Sequence, residues 1–432
     1  MKRKLINNLL EWKENYADKP LMLIGARGTG KTYLANDFAK AFYAKTIYIN
    51  LERVTECHKL FDGEDVSIWI QNILMLSETY PYASELSEDE KEPILFIIDE
   101  VSFYPSLMDK LKALMKTNPP FQIMCITSFR NDLYEKDEFF YVMQLFPLNF
   151  EEFLIATGNE WYAEAIRTHY ATNKKLPDIV HRELLNFFED YLQIGGMPSA
   201  VNEFISMEGK YNVSEQHRIL ADSYLWDVKR RNDEGEALKI SQVYNIIDKQ
   251  LIKENRKFQY TLIRKGATHA MYTNAVQYIT DTFYGIRCNK LTEEALERTS
   301  EIDVDSNNIS QYKLYMSDVG MLCSSLKQVA NKHPDQERKG LIENYVAQTL
   351  YANGYHLNYW ESSSQAKIDF ILYKEDYILP IEVKTGEITR SKNLSVFKSK
   401  CYNIKDAIKI STRNFEYSGD IKYVPIYAVF CI

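Results

Sequence analysis

The chain carries the octapeptide Gly25-Ala26-Arg27-Gly28-Thr29-Gly30-Lys31-Thr32, directly after the apolar run Leu21–Ile24 and directly before a helical pattern from Tyr33 to Phe42. This order of strand, glycine-rich loop and helix is typical of a phosphate-binding loop. Backbone N–H groups surround the β-phosphate, Lys31 neutralises the β- and γ-phosphate oxygens, and the Thr32 hydroxyl binds Mg²⁺. The following helix adds its positive N-terminal end. We therefore predict a nucleotide site with ATP and Mg²⁺ as cofactors; the alternative is a turn that only joins strand to helix.

The composition indicates a globular protein of several domains. The chain has 432 residues, of which 45% are hydrophobic and 26% charged, and this length suggests about two to four domains. No apolar run approaches the roughly 20 residues of a membrane span. Polar residues interrupt the segment behind the basic N-terminus, which argues against a signal peptide. Six scattered cysteines indicate reduced thiols. We therefore expect a cytoplasmic protein without membrane contact.

Residues 1–150 alternate short apolar runs with helical patterns. Such alternation is typical of a parallel sheet with helices on both faces, so we predict an α/β fold with a P-loop NTPase core over residues 1–150. The predicted strands are Leu21–Gly25, Thr46–Leu51, Ile94–Asp99, Gln122–Thr127 and Tyr141–Leu145.

An acidic pair, Asp99-Glu100, ends the apolar run Ile94–Ile98. The arrangement has the form of a Walker B strand, in which Asp99 holds Mg²⁺ through water and Glu100 is the general base for the attacking water. The alternative is an ordinary acidic pair at the start of a helix. Because the pair follows a phosphate-binding loop, the ATPase interpretation is favoured.

Polar residues also end the next predicted strand, at Thr127-Ser128. Ser128 is a candidate for contact with the γ-phosphate, and a simple strand-end cap is the alternative. No spacing rule separates Arg130, Arg167 and Arg182 as candidates for an arginine finger. Oligomerisation is therefore not assignable from the sequence.

The middle of the chain has mainly helical patterns. Asn149 and Glu152 have the spacing of a capping box, which opens a helix that Gly158 closes. Residues 160–205 continue as helix with a break at residues 195–198, and residues 215–325 are helical with a short strand pair near their end. The charged segment 331–340 contains a proline and predicts a linker. We expect a helical extension over 151–210, a middle domain over 211–330 and a C-terminal domain over 331–432.

Residues 259–282 have the pattern of a helix–turn–helix with its second helix from about Thr268 to Asp281. The strand pair at 284–291 and 313–316 would then be a wing. The candidate DNA contacts are Arg264, Lys265, His269 and Tyr272. Because the helix is not basic, protein contact is the alternative. The net charge of −8 excludes a uniformly basic surface but not a local groove.

Two strands, Lys367–Tyr373 and Tyr377–Lys384, flank a tight polar turn and predict a hairpin. With the turn centred between Glu375 and Asp376, Asp369 lies opposite Glu382 and shares its face, as does Lys384. The other face is apolar, which specifies the register.

Two carboxylates within reach of each other suit a hard divalent cation, and a nearby lysine can orient or deprotonate water. Glu343, in the helical run Leu341–Tyr351, is a third acid. We predict Glu343, Asp369 and Glu382 as metal ligands and Lys384 as a catalytic residue. The alternative is an Asp–Lys salt bridge on a partly solvated sheet face, with Glu343 an ordinary surface residue.

The chain resembles the bacterial and archaeal AAA+-type ATPases whose C-terminal part is a domain of unknown function related to PD-(D/E)XK nucleases. The segments that carry the resemblance spread over nearly the whole chain. They are Gly25–Thr32, Ile94–Glu100, Phe146–Phe153, Gly195–Pro198, Lys313–Leu322, Gly340–Ala347 and Lys367–Lys384.

The resemblance implies an ATPase core, a winged-helix-like middle and a small α/β restriction-endonuclease-like end. It places Glu343, Asp369, Glu382 and Lys384 at the nuclease positions. The family often has Gly-Arg before its Pro-Leu-Ser/Asn-Phe-Glu-Glu stretch, whereas Phe140-Tyr141-Val142-Met143 stands there in this chain. No nucleotide-sensing arginine is therefore implied at that position.

Two functions follow from these patterns. The first is an ATPase that couples Mg·ATP binding or hydrolysis to action on DNA, with a metal-dependent nuclease at its C-terminal end. The second is a nucleotide-operated switch or scaffold whose nuclease-like domain binds a nucleic acid or a protein without cleaving. Both require ATP as a partner, and they differ in Mg²⁺-dependent cleavage.

Overall fold

The computed structural model describes residues 1–16, 18–79, 94–131, 138–206, 212–297, 311–327, 334–362, 366–375, 377–388, 391–401 and 403–432. The chain divides into two compact units. The N-terminal unit comprises residues 1–146 with 281–283, and the C-terminal unit comprises residues 147–280 and 284–432.

The N-terminal unit is built on a parallel sheet of five strands in the order β2-β3-β4-β1-β5. The strands are β1 Leu21–Ile24, β2 Thr46–Asn50, β3 Ile94–Asp99, β4 Phe121–Thr127 and β5 Tyr141–Gln144. All five predicted strands are confirmed to within one residue at each end. A parallel sheet buried on both faces needs near-continuous apolar strands, and β1 is buried at all four positions.

Helices pack against the apolar side chains of this sheet. The α-helices of the unit are α1 Ile6–Asn15, α2 Lys31–Phe42, α3 Val66–Thr79 and α4 Leu107–Met115. Leu34 and Phe38 of α2 join Leu23, Ile97 and Ile126 of the sheet in one buried cluster. The phosphate-binding loop thus lies between a buried strand and a helix anchored in the core.

The α-helices described in the C-terminal unit run from its start to the last strands of its sheet. They are α5 Phe150–Ala156, α6 Glu160–Thr172, α7 Asp178–Ile194, α8 Pro198–Ser206, α9 Val213–Arg231, α10 Glu234–Tyr244, α11 Ile247–Leu251, α12 His269–Asp281, α13 Val319–Lys327, α14 Pro334–Ala352 and α15 Asn393–Lys398. The predicted capping box is confirmed, since the Asn149 side chain accepts from the Glu152 N–H and the Glu152 side chain accepts from the Asn149 N–H.

Within the described part of the chain, none of the helices combines the length and apolar character that a membrane span requires.

An eight-stranded sheet completes this unit, in the order β12-β13-β11-β10-β9-β8-β6-β7. Its strands are β6 Gly285–Lys290, β7 Tyr312–Met316, β8 Leu357–Glu361, β9 Lys367–Tyr373, β10 Ile378–Val383, β11 Ala407–Ser411, β12 Glu416–Ser418 and β13 Ile421–Pro425.

The strand pair expected as a wing extends this sheet instead. Strand β6 pairs antiparallel with β7 and parallel with β8, so both of its edges are satisfied within the sheet. All five residues of β7 are buried. Hydrogen bonding therefore joins strands β6 and β7 to the expected C-terminal domain, across the expected boundary at 330/331.

Most of the segment expected as a linker, residues 331–340, is helical instead. Residues 334–340 belong to the long helix α14, which starts at Pro334, a position that needs no backbone N–H. Residues 331–333 of that expected linker lie outside the described residues. The proline that indicated a break therefore marks a helix start.

Candidate functional site

The Gly25–Thr32 loop has the backbone that its glycines allow. Gly28 and Gly30 have φ of 88° and 93°, a left-handed conformation that favours glycine. A Cβ at Gly25 would lie 2.2 Å from the backbone oxygen of Leu145, so only glycine fits there. The buried Lys31 ammonium donates to the carbonyl oxygens of Gly25, at 2.8 Å, and Ala26, at 3.0 Å. The Lys31 ammonium is therefore held against the backbone at the start of the loop.

Two arginines, Arg3 and Arg27, support the loop through contacts that the sequence did not indicate. Arg3 donates to the carbonyl oxygens of Thr29, at 3.0 Å, and Phe146, at 2.5 Å. Arg27, inside the loop, pairs with Glu52 at 2.7 Å. These contacts tie the loop to the N-terminus and to the segment after β2. No sequence motif signals them, because the partners are far apart in the chain.

The Walker B aspartate lies next to the loop hydroxyl. The Thr32 hydroxyl donates to Asp99 Oδ2 at 2.8 Å, and the Tyr48 hydroxyl donates to the same oxygen at 2.7 Å. Burial and the charge of Asp99 raise the pKa of Tyr48. A hydroxyl and a carboxylate are the hard oxygen donors that Mg²⁺ takes in such sites, so the residues present fit that metal.

Glu100 is held by the residue at the end of β4. It has a left-handed backbone, with φ of 56° and ψ of 51°, and is buried. The Ser128 hydroxyl lies 3.0 and 2.9 Å from its two carboxylate oxygens. Ser128 thus contacts the candidate base. The sequence indicated neither this contact nor its partner, only a γ-phosphate contact or a strand-end cap. Contact of Ser128 with the γ-phosphate stays a prediction.

The three candidate finger arginines each have partners within their own unit. Arg167 forms a two-point ion pair with Glu151, and Arg182 donates to the Asp178 carbonyl of its own helix at 3.3 Å. Arg130 lies 3.4 Å from the Gln144 side chain. None of these contacts assigns a finger.

The hairpin register predicted from the sequence is confirmed. Strands β9 and β10 pair from Tyr373 opposite Ile378 to Phe370 opposite Ile381, and this register, continued by one residue, is the one that the sequence predicts for Asp369 and Glu382. Both carboxylates are buried rather than partly solvated, with 7% and 0% of their surface exposed. The two carboxylates are thus more buried than that alternative assumed, whereas Lys384 beside them is 27% exposed.

Glu343 is buried among cations. Lys313 lies 2.7 Å from one carboxylate oxygen and Arg256 lies 2.9 Å from the other, while the Tyr315 hydroxyl donates to the first at 2.7 Å. Burial alone would raise the pKa of Glu343, but Arg256 and Lys313 more than offset this and lower it to about 2. Glu343 is thus a fully paired core carboxylate, and its description as a surface residue is wrong.

Glu382 has a separate set of partners. One carboxylate oxygen contacts Lys384 at 2.8 Å, Asn393 at 3.0 Å and Ser391 at 2.5 Å. Lys409 lies 3.7 Å from the other oxygen. Lys384, predicted as a catalytic residue, is thus ion-paired with Glu382.

Asp369 accepts a hydrogen bond from the Val383 N–H at 2.8 Å. Burial and the neighbouring Glu343 raise its pKa. Asp369, Glu343 and Lys384 line a cavity of about 290 Å³, together with Glu254, Arg256, Gln336, Lys339, Lys367, Val383 and Thr385.

No three His, Cys, Asp or Glu side chains come together as a metal site in the described ranges. Joint metal binding by Glu343, Asp369 and Glu382 is therefore not supported by this arrangement. The physical reason is that Arg256 and Lys313 supply Glu343 with the positive charge that a cation would provide. Metal binding at this site stays a prediction.

The residues expected as DNA contacts in segment 259–282 differ in their exposure. Helix α12 starts at His269, one residue after the prediction, and Arg264 and Lys265 before it are exposed. Tyr272, however, is buried and donates to Gln242 at 2.9 Å. The expectation that Tyr272 contacts DNA is wrong, because its ring and hydroxyl are used inside the unit.

Another segment of the resemblance has a packing role. The buried Asp318 accepts from the Gly196 N–H at 2.7 Å. A Cβ at Gly195 would lie 2.1 Å from an Asp318 oxygen, and one at Gly196 would lie 1.9 Å from the Leu148 oxygen. The Gly195–Pro198 segment therefore permits a close approach of three chain segments.

Family models match three parts of the chain. Residues 17–154 match a model described as an AAA domain, residues 185–332 match a domain of unknown function, DUF8612, and residues 338–429 match a domain of unknown function, DUF4143. The first match and the five-stranded parallel sheet support an AAA-type ATPase domain in this part of the chain. No curated protein matches the chain.

Several solved structures are similar to this chain at low sequence identity. A Walker-type ATPase of Pyrococcus abyssi is 13% identical, with 76% of this chain and 95% of that chain covered and a TM-score of 0.40. A signal transduction ATPase with a tetratricopeptide repeat sensor from Pyrococcus horikoshii is 14% identical, with 82% and 45% covered and a TM-score of 0.29. C. elegans PCH-2 is 19% identical, with 46% and 56% covered and a TM-score of 0.26.

Proposed function

We propose that the protein is a Mg²⁺-dependent ATPase that binds ATP at the Gly25–Thr32 loop and hydrolyses it with Glu100 as general base. The observation that carries this proposal is the 2.8 Å contact between the Thr32 hydroxyl and Asp99 Oδ2. It brings together the two groups that hold Mg²⁺ in P-loop enzymes, although they are 67 residues apart in the chain.

Each side chain of the site has a defined task in this proposal. Lys31 leaves the carbonyls of Gly25 and Ala26 to bind the β- and γ-phosphate oxygens. Thr32 and Asp99 would hold Mg²⁺, which when bound neutralises charge on those oxygens. Glu100 accepts a proton from the attacking water.

Two substitutions test the ATPase. Lys31→Ala removes the phosphate-binding cation, and we expect loss of ATP binding in a fluorescent-nucleotide titration. Glu100→Gln keeps the shape but removes the base, so we expect ATP binding with turnover lowered at least about 100-fold. Unchanged turnover in Glu100→Gln would exclude Glu100 as the base.

We further propose that nucleotide state controls action on DNA through the C-terminal unit. Asp369 and Glu382 lie on two paired strands and Lys384 directly follows the second, and the cavity beside Asp369 is lined by Lys339, Lys367 and Lys384. Lysines at such a cavity suit contact with a phosphodiester backbone.

A second candidate function is a nucleotide-operated switch whose C-terminal unit binds DNA, RNA or a protein without cleaving. The pairing of Glu343 with both Arg256 and Lys313 favours it, because a carboxylate already neutralised is a poor ligand for Mg²⁺.

Cleavage separates the two functions. Wild type and Glu382→Ala are incubated with single- and double-stranded DNA and RNA in Mg²⁺ and ATP. Cleavage by wild type that Glu382→Ala lacks supports the nuclease and excludes the switch. If neither protein cleaves any substrate, the function contracts to an ATPase with a binding module.

A further inference from the structure

Tyr48 is placed by strand register beside the Walker B aspartate. Strands β2 and β3 pair in parallel with Asn50 opposite Asp99. Because side chains alternate along a strand, Tyr48 and Asn50 face the same side as Asp99. Tyr48 is 39% exposed, so burial of its ring does not account for an aromatic residue here. Its hydroxyl, by contrast, has a defined position at Asp99 Oδ2.

The Asp99 carboxylate is held by three donors from three different places. The Glu100 N–H donates to Oδ1 at 2.9 Å, and the hydroxyls of Thr32 and Tyr48 donate to Oδ2. The Glu100 N–H belongs to the adjacent peptide, and Thr32 is itself the expected Mg²⁺ ligand. Tyr48 is therefore the donor that fixes Asp99 Oδ2 without belonging to the loop or to β3.

We propose that Tyr48 is a positioning residue for the ATPase, whose hydroxyl orients Asp99 for Mg²⁺ binding. Groups that hydrogen-bond to metal-binding carboxylates fix their orientation, and their removal typically weakens metal affinity about 10- to 100-fold. The Asn50 side-chain amide, on the same face of the same strand, donates to the Tyr48 oxygen at 3.4 Å and so helps to hold the hydroxyl in place. This inference rests on the proposed function, because it concerns the Mg²⁺ of that reaction.

The test measures Mg²⁺ dependence in Tyr48→Phe, which removes one oxygen and keeps the ring. Binding of a fluorescent, non-hydrolysable ATP analogue is titrated with Mg²⁺, and ATP turnover is measured over the same Mg²⁺ range. We expect the Mg²⁺ concentration at half-maximal binding to rise about tenfold or more. At saturating Mg²⁺, turnover should return to within about twofold of wild type, since the hydroxyl orients Asp99 and takes no part in the reaction.

Tyr33→Phe is the matched control, because it makes the same chemical change beside Thr32 at a side chain that is 63% exposed. Its Mg²⁺ dependence should equal that of wild type. Thermal unfolding without nucleotide or Mg²⁺ separates positioning from structure: we expect similar midpoints for all three proteins.

Each result decides the inference. A tenfold shift confined to Tyr48→Phe supports it. Wild-type Mg²⁺ dependence in Tyr48→Phe overturns it while leaving the ATPase intact. Turnover that stays low at saturating Mg²⁺ together with a lowered unfolding midpoint also overturns it, in favour of a structural role. A wild type without Mg²⁺-dependent nucleotide binding overturns it together with the proposed function.

Discussion

Ser128 and Glu100 form one hydrogen-bonded pair, with the serine hydroxyl 3.0 and 2.9 Å from the two carboxylate oxygens. The two residues end neighbouring parallel strands, β3 and β4, so their side chains meet at the carboxyl edge of the sheet. Glu100 has a left-handed backbone, which an ordinary residue rarely adopts. Ser128 thus holds the carboxylate of the residue that we propose as the general base.

We therefore expect Ser128→Ala to bind ATP with unchanged affinity and to hydrolyse it about tenfold more slowly, because a loosely held base is misplaced for the attacking water. Single-turnover kinetics with a nucleotide-binding titration check both parts. Ser106→Ala, at an exposed serine of the same unit, is the control. Faster turnover in Ser128→Ala would mean that the serine restrains the base instead.

Arg3 gives a second prediction. Its guanidinium links the loop carbonyl of Thr29 to the carbonyl of Phe146. Arg3→Met removes both hydrogen bonds. Only the bond to the Thr29 carbonyl holds the loop itself, and at about 1 kcal/mol its loss should lower ATP affinity about 3- to 10-fold. Isothermal titration calorimetry measures this, with the exposed Lys2→Met as a control for charge. Equal losses in both variants would indicate a general charge effect.

Gly196 gives a prediction about stability. A Cβ there would overlap the Leu148 oxygen, so Gly196→Ala forces backbone to move and should lower the free energy of unfolding by about 2–4 kcal/mol. Gly386 has nothing within 4 Å of such a Cβ, and Gly386→Ala should change stability little. Urea unfolding compares the two variants. Equal stability would show that the Gly196 segment relaxes without cost.

Glu343 gives a prediction about pH. Its pKa of about 2 in the folded protein lies below the usual 4.5, so folding favours the ionised carboxylate. The resulting stabilisation, about 3 kcal/mol, is fully present above pH 4.5 and is lost as the pH falls towards 2. Glu343→Gln should therefore be less stable than wild type at pH 7, and the difference should shrink in acid.

Urea unfolding of the C-terminal unit between pH 3 and pH 7 measures this difference. Glu254→Gln, at an exposed residue lining the same cavity, should match wild type across that range. A Glu343→Gln deficit that does not change with pH would indicate lost packing rather than lost charge.

Local patterns in the sequence predicted much of this molecule because their causes are local. Five apolar runs became the five parallel strands, since a sheet covered on both faces needs such runs. The apolar face of the hairpin specified its register, and the pairs from Tyr373 with Ile378 to Phe370 with Ile381 follow that register as expected. The loop and the Asp99-Glu100 pair were recognisable because their chemistry depends on residues adjacent in the chain.

Tertiary structure alone decided the rest. Tyr48 reaches Asp99 across 51 residues, and Lys313 reaches Glu343 across 30, with no periodic pattern to indicate either contact. The strand pair β6 and β7 had the local form of a wing and became part of an eight-stranded sheet, because β8 paired with the open edge of β6. The sequence by itself thus determined which segments are strands, helices and phosphate loop. Packing determined which charges are neutralised and which carboxylates stay available, since burial and distant partners set those properties.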